Sequence, residues 1–345
     1  MLDRNIEGVL DALSVAVFVV EVNQTVIFRN AASVSLFGTG IRGRKLSHFV
    51  PNKRCIRAVE DVLAGGARTS VDVRLQLVVP TSFRMTAVRV DPDAKREDAT
   101  VVVSFEDVSH IQEAEQMRSD FVANVSHELR SPLTALYGFI ETLQGPARND
   151  PVASERFLGL MEKEGARMAR LIDDLLSLSK LQSYERYAPT EKVAIGPILE
   201  RVGASLQPIL EREDTRLKME IAPDLPEVFG NVDELTQVFA NLIENAAKYS
   251  KPGAEACVIA GVDEIETGMI RVSISDQGEG IAAEHIARLT ERFYRIDKGR
   301  SRDKGGTGLG LAIVKHILMR HRGRLQIDSV VGEGSRFSVV LPVSL

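Results

Sequence analysis

The chain has 345 residues, of which 44% are hydrophobic and 26% charged, with a formal net charge of −5. That length suits two or three domains, and the slight acidity excludes bulk attraction to nucleic acid or to an anionic membrane. Its two cysteines, Cys55 and Cys257, imply neither a disulfide framework nor a cysteine metal site and suit a reducing cytosol. The longest apolar runs, such as Val15 to Val20, fall far short of the roughly 20 residues that span a bilayer, and no signal-peptide pattern precedes them. The expectation is a cytoplasmic chain, either wholly soluble or the cytoplasmic part of a membrane-bound sensor whose spanning segments are absent from it.

Residues 1–110 read as a small α+β domain. Ala16 to Val22 and Thr25 to Arg29 are β-rich runs around the turn Asn23-Gln24. Asn30 to Phe37 reads as a short helix stopped by Gly38. Strands follow at Ser70 to Val79, Phe83 to Val90 and Thr100 to Asp107, with the polar turn Asp91 to Asp98 between the last two. Ile27-Phe-Arg-Asn-Ala-Ala and Leu36-Phe-Gly, set among antiparallel strands with early short helices, resemble a PAS sensor domain. Cys55 and His48 lack partners for cofactor chemistry and are expected to be structural.

Asp107 to Met117 is polar and helix-prone and leads straight into Phe121 to Leu143. There the apolar residues Val122, Val125, Leu129, Leu133, Leu136, Ile140 and Leu143 recur every three or four positions, the seam of a bundle helix. At about 100° per residue, His127 points roughly 160° away from that seam. Ser131 lies one turn further on the outward side, and Glu128 is beside His127. Pro132 should kink the helix just beyond His127. Gly145-Pro146 to Pro151 makes a turn. A second helix is predicted from Ser154 to Leu181, with a seam of Phe157, Met161, Met168, Leu171, Leu175 and Leu178 interrupted by Glu164. Residues 111–183 thus form a helical hairpin, and one hairpin cannot bury both stripes. Two copies forming a four-helix bundle would, so a homodimer is expected.

Tyr184 to Thr190 is a polar linker, and residues 190–345 change to mixed α/β. Helices are predicted at Pro197 to Leu210, Asp233 to Ser250, Ala283 to Leu289 and Gly310 to His321. Strands are predicted at Arg216 to Ile221, Ala256 to Val262, Ile270 to Ser275, Arg324 to Ser329 and Arg336 to Leu341. Helices alternating with antiparallel strands suggest a two-layer α/β sandwich.

Four short motifs lie in this last region. On a helix, Asn241, Asn245 and Lys248 fall within about 60° of one another, away from Leu235, Leu242 and Ala246. Asn245 can offer an oxygen to Mg²⁺, and Lys248 can meet phosphate. Asp276 follows a strand, and Gly278 and Gly280 let backbone approach a ligand; a carboxylate there can accept from an adenine amino group. Glu291 to Asp297 and the basic run to Gly305 read as a lid with aromatic anchors Phe293 and Tyr294, and Arg295 can stabilise charge on a phosphoryl group. Gly306-Thr307-Gly308-Leu309-Gly310 opens a helix whose free N–H groups suit phosphate. Each motif alone is weak, and the last has neither Walker A nor Rossmann spacing.

Together they carry a family likeness. Ser126-His127-Glu128-Leu129-Arg130-Ser131-Pro132-Leu133 resembles the H-box of bacterial two-component sensor histidine kinases. The four later motifs, in order, resemble the N, G1, F and G2 boxes of the GHKL (Bergerat) ATP-binding fold. The resemblance covers Glu113 to Leu345, and phosphate-regulon sensors, which also carry a PAS domain, are a similar subgroup. It implies a multidomain α+β protein with a PAS-like sensor domain, a hairpin forming a dimeric four-helix bundle, and a Bergerat-type sandwich. It implies Mg²⁺ on Asn245, adenine read by Asp276, and a phosphate loop of Gly306, Gly308 and Gly310, with Asn241, Lys248, Tyr249, Phe293, Thr307 and Leu309 around the nucleotide.

The implied reaction uses ATP and Mg²⁺. Neutral imidazole is a competent nucleophile, and free imidazole titrates near pH 6.5 (about). His127 would attack the γ-phosphorus, Glu128 would orient the ring and take its other proton, and the phosphoryl group would pass to an aspartate on a response regulator. Two rivals remain. A GHKL ATPase of the chaperone or topoisomerase kind needs a water-activating glutamate where Asn241 stands, which disfavours plain hydrolysis. A non-catalytic ATP-binding scaffold would bind nucleotide without labelling His127. Ser131 stands where many relatives use threonine or asparagine to dephosphorylate the partner, so a phosphatase activity stays open.

Overall fold

The computed structural model describes residues 4–77, 80–91, 99–184, 188–297 and 306–344. The predicted turn at 92–98 and the basic lid at 298–305 lie outside the described residues. The chain forms two compact units, Met1–Ala123 and Asn124–Leu345.

In the first unit α1 (Arg4–Asp11) precedes β1 (Ala16–Glu21), β2 (Val26–Arg29), α2 (Ala31–Phe37), α3 (Lys53–Leu63), β3 (Thr69–Gln76), β4 (Pro80–Arg89) and β5 (Thr100–Asp107). The strands make one sheet in the order β2-β1-β5-β4-β3, and every pairing is antiparallel. Alternation sends Phe18 and Val20 of β1 and Val101, Val103 and Phe105 of β5 into one core. Phe18, Phe37, Phe83 and Phe105 meet there at tilted or edge-on angles, with centroids 5.4 to 6.2 Å apart, the arrangement aromatic quadrupoles favour. Cys55 lies in the same core, and burial pushes its thiol up to about 11, which makes it an inert packing residue. Asn30 is the unit's polar hub. Its Oδ1 accepts from Val17 N (2.9 Å) and Ser33 N (3.0 Å), capping α2, while its Nδ2 donates to Leu10 O and Val15 O.

In chain order the next elements are α4 (Ser109–Gln144) and α5 (Pro151–Tyr184). α4 is one helix across the predicted polar lead-in and the H-box, so the boundary between the units falls inside it. Pro132 lies within that helix without ending it. α5 starts at Pro151, three residues earlier than predicted, because Asp150 Oδ1 accepts from Val152 N and Ala153 N at 3.0 Å each. Proline is tolerated at a first helical position, where its missing N–H costs nothing. Phe139 and Phe157 stack across the hairpin at 5.7 Å. The predicted α4 seam stays partly open within one chain, with Val122 58% and Leu133 48% exposed, whereas the predicted α5 seam is buried or half-buried and the exposed apolar residues of α5 outside it include Leu158, Ile172 and Leu176.

The rest of the second unit holds β6 (Lys192–Val193), α6 (Ile195–Arg212), β7 (Arg216–Ile221), β8 (Val228–Phe229), α7 (Val232–Tyr249), β9 (Glu255–Val262), β10 (Met269–Asp276), α8 (Ala283–Ile286), α9 (Gly310–Arg320), β11 (Arg324–Val330) and β12 (Gly334–Pro342). A five-stranded sheet runs β11-β12-β10-β9-β7, and β6 pairs separately with β8. One pairing departs from the antiparallel expectation: β7 and β9 run parallel. α7 intervenes between them and supplies the long crossover that parallel strands need. Leu235, Val238, Phe239, Leu242, Ile243 and Ala246 of α7 and Ile313, Val314 and Ile317 of α9 are buried with the apolar residues of β9, β10 and β12. This gives helices on a sheet, the mixed α/β sandwich predicted.

Candidate phosphoacceptor and nucleotide site

His127 is exposed on α4, as the helical phase predicted. Glu128 is half-buried, and its Oε2 accepts from Arg167 of α5 at 3.0 Å and from Arg295 at 3.4 Å. Among the described residues no hydrogen bond joins Glu128 to His127, so the carboxylate faces two guanidinium groups and not the ring it was expected to orient. The cause is charge: two guanidinium groups on neighbouring elements attract the carboxylate in a partly dry setting. Ser131 is half-buried one turn along.

α7 is fixed at its start by Asn231, whose Oδ1 accepts from Asp233 N and Glu234 N at 3.0 Å each. Asn231 N–H in turn donates to Nε2 of buried His321 at 3.0 Å, while His321 Nδ1 bonds Ile317 O at 2.8 Å. The start of the asparagine-bearing helix is thus pinned to the end of α9. Leu235, Leu242 and Ala246 face the core, leaving Asn241 and Asn245 half-buried on the other side. Asn241 Nδ2 bonds Gln237 O at 3.0 Å. Lys248 differs from expectation: it is buried and pairs with Glu244, one turn back, at 2.7 Å. Tyr249 is exposed.

Asp276 ends β10 in a buried position. Its Oδ1 accepts from Gly278 N at 2.8 Å and Ser335 N at 3.2 Å. Burial, the larger influence, pushes this carboxyl above the usual range, and the two backbone N–H groups oppose the rise. The glycines beside it are required by space. A Cβ on Gly278 would lie 2.4 Å from Tyr249 O, and one on Gly280, at φ +70°, would lie 2.0 Å from Val330 O.

The phosphate loop and the aromatic segment close on each other. Phe293 N donates to Gly308 O at 2.8 Å. Both residues are in the left-handed region, Phe293 at φ 62° and Gly308 at φ 73°. A Cβ on Gly308 would lie 3.0 Å from Phe293 Cα, and one on Gly310 would lie 2.8 Å from Asn241 Oδ1. The first contact brings Arg295 to the loop; the second brings α9 against α7. Leu309 is fully buried, and α9 has no side-chain cap at its N-terminus. Tyr294 is anchored by its hydroxyl on His285 Nδ1 at 2.7 Å, with Arg288 over its ring at 4.2 Å.

The predicted residues therefore fall into two groups: His127, Glu128 and Ser131 on α4, and the remainder around α7, the end of β10 and the start of α9. Arg295 links the groups. Sequence reading missed Arg167, Asp174, Glu244 and Ser335. Asp174 Oδ2 accepts from Thr307 Oγ1 at 2.6 Å. Arg167 had a usable signal, since it lies three residues after Glu164, the polar break in the α5 seam, and contacts it at 3.7 Å. Ser335 acts through its backbone and leaves no signature in side-chain chemistry.

Residues 117–184 match the His Kinase A (phospho-acceptor) domain, and residues 230–345 match the histidine kinase-, DNA gyrase B- and HSP90-like ATPase family. The chain belongs to the sensor histidine kinases. Relatives include the phosphate regulon sensor protein PhoR of Pseudomonas aeruginosa, 41% identical over 67% of this chain and 52% of PhoR. WalK of Staphylococcus saprophyticus is 36% identical over 68% of this chain and 38% of its own length. SrrB of Staphylococcus aureus is 31% identical over 83% and 48%. This sensor kinase chain thus spans about half or less of the curated relatives it matches. Among solved structures, histidine kinase ThkA in complex with response regulator protein TrrA aligns over 98% of both chains at TM-score 0.54 and 18% identity. Acinetobacter baumannii histidine kinase AdeS covers 64% of this chain and 98% of its own at TM-score 0.50 and 24% identity. These two similarities concern the fold.

The ATPase match implies ATP binding, and the residues of the sensor kinase fit that ligand. Asp276 has one oxygen fixed by backbone and a second with no hydrogen bond to the described residues. The glycine positions hold backbone too close for any side chain, and the N-terminus of α9 presents uncapped N–H groups.

Proposed function

We propose that this chain is the catalytic part of a protein-histidine kinase that autophosphorylates on His127 from Mg-ATP and hands the phosphoryl group to an aspartate of a response regulator. One observation carries the reading. Arg295, from the nucleotide module, contacts Glu128, the residue beside the exposed imidazole. In transfer, a neutral His127 nitrogen forms a bond to the γ-phosphorus as the bridging P–O bond breaks and ADP leaves. The proton on the other ring nitrogen passes to Glu128, which must first turn from Arg167 and Arg295. Arg295, so released, neutralises charge on the transferring group. Asp276 receives the adenine amino group, and Gly278 and Gly280 give it room. Gly306, Thr307, Gly308, Leu309 and Gly310 cradle phosphates, with Asn241, Lys248, Tyr249 and Phe293 lining the site. Asn245 would hold Mg²⁺, which when bound would offset the charge of the phosphates.

In this reading residues 1–110 are a PAS-like sensor domain, 111–183 the dimerisation and phosphotransfer hairpin, and 190–345 the Bergerat-type kinase domain. The order β2-β1-β5-β4-β3 supports the first assignment. The exposed apolar residues Leu133 of α4 and Leu158, Ile172 and Leu176 of α5 support a homodimeric four-helix bundle. ThkA, solved with a response regulator, supports that class of partner. No helix among the described residues is long and apolar enough to cross a membrane, which accords with a cytoplasmic location for this part. Ser131, within a turn of His127, could hold a water for partner dephosphorylation.

The test is labelling with γ-labelled ATP followed by a panel of receiver domains. The chain should gain acid-labile label and lose it to a cognate receiver, and His127→Gln should gain none. Label persisting in His127→Gln would refute the assignment.

A further inference from the structure

We propose that Asp174 is an acidic gate on the phosphate loop, competing with nucleotide phosphate for Thr307 and so setting ATP affinity from the hairpin side. The inference rests on the nucleotide-site reading above and adds a residue outside every motif that defines it.

Thr307 is the only hydroxyl residue within Gly306–Gly310. Its hydrogen is donated to Asp174 Oδ2 at 2.6 Å, and its oxygen accepts from Leu309 N at 3.3 Å. A phosphate oxygen needs donors, and here two of the loop's donors are already committed, one to α5 and one to the loop itself. The hydrogen bond is charge-assisted and partly buried, the class that is hardest to give up.

The surroundings of Asp174 sharpen the competition. Arg170 favours its charge, while Glu244 and Asp173 oppose it, and burial opposes it most. A polyphosphate arriving at Thr307 would bring more negative charge beside this carboxylate. Nucleotide and Asp174 therefore cannot both keep the loop without loss. Coupling of this kind is reciprocal: whatever factor Asp174 removes from ATP affinity, bound ATP removes from the α5 contact. The second tie, Arg295 to Glu128, joins the same module to α4. Nucleotide binding at Thr307 would thus loosen one of these ties of the kinase module to the hairpin, and so free it to engage His127.

The experiment is calorimetric titration of the full chain with Mg-ATP, comparing the natural sequence with Asp174→Ala and Asp174→Asn. Asp174→Ala should bind about tenfold more tightly, a factor equal to about 1.4 kcal/mol. Asp174→Asn keeps an acceptor but no charge and should gain roughly threefold, since neutral hydrogen bonds are about half as strong. It also keeps the side-chain volume, so it reads the gate if the alanine chain folds poorly. Without nucleotide, amide exchange at Leu309 and Gly310 should quicken in both variants. Unchanged or weaker affinity in a folded variant, or unchanged exchange, overturns the gate. Failure of all three chains to bind Mg-ATP would overturn the proposed function itself, and the gate with it.

Discussion

Replacing Asp276 with asparagine separates ligand reading from structural support, because the two roles predict opposite signs. The natural carboxylate has Oδ1 bound by Gly278 N at 2.8 Å and Ser335 N at 3.2 Å. Asparagine can keep that oxygen and both donors while placing an NH₂ where the second oxygen was. The folded protein then loses a buried charge, not a hydrogen-bond acceptor. Since burial raises the folded pKa of Asp276, its stabilising contribution is full only below the unfolded pKa and is lost as pH rises through the folded one. At neutral pH the asparagine chain should therefore be equally stable or more stable, by up to about 1 kcal/mol. As pH falls through the folded pKa, the difference should close. Nucleotide binding should move the other way. The adenine amino group would meet a donor and lose a charge-assisted bond worth about 1.5–3 kcal/mol, or roughly 10- to 150-fold in affinity. Calorimetric titration and thermal melting of the same preparations decide it. Unchanged affinity, or a melting temperature that drops along with affinity, would refute the reasoning and make Asp276 a structural residue.

Three further outcomes are expected. His321 is held neutral by burial, with its pKa pushed down, and in that form accepts from Asn231 N. Its contribution should be intact above the unfolded value of about 6.5 and fade as pH falls toward the folded one. Amide exchange in the first turn of α7 should rise from pH 7 to pH 5 beyond the intrinsic rate change, and exchange that tracks the intrinsic rate alone would contradict this. Gly280→Ala should destabilise the second unit by on the order of 2–4 kcal/mol, since its Cβ would meet the Val330 carbonyl at 2.0 Å with φ already at +70°; denaturant melts giving a loss below about 1 kcal/mol would count against it. Leu133→Glu with Leu176→Glu, at exposed apolar positions of α4 and α5, should shift sedimentation from dimer to monomer. Dimer surviving at micromolar concentration would show that the bundle does not pair through these faces.

Much of this architecture was legible because the signals are local. Helical phase placed His127 outward, and strand alternation located β1, β5 and β10 to within a residue or two. α3 was missed although Asn52 caps it and Cys55, Ala58, Val59, Val62 and Leu63 make a helical stripe; Lys, Arg and Glu between them diluted the pattern. The parallel pairing of β7 with β9 depends on a crossover through α7 that no local run encodes. In the site, glycine spacing exposed the loops, because steric need leaves a residue-type trace. The long-range polar contacts did not show. Arg167 meets Glu128 across 39 positions, and Thr307 meets Asp174 across 133. Such contacts belong to the packing of the module on the hairpin, and periodicity within one element is blind to them.

Phosphoryl transfer to His127 comes down to one nitrogen–phosphorus bond. Incubating the chain with magnesium and ATP, then locating the modification by peptide fragmentation under neutral conditions alongside phosphorus resonance spectra, tests it most directly. A single acid-labile phosphoramidate on His127 is expected. Free phosphate released without it, or a phosphoryl group on any other side chain, would rule out His127 as the phosphoacceptor.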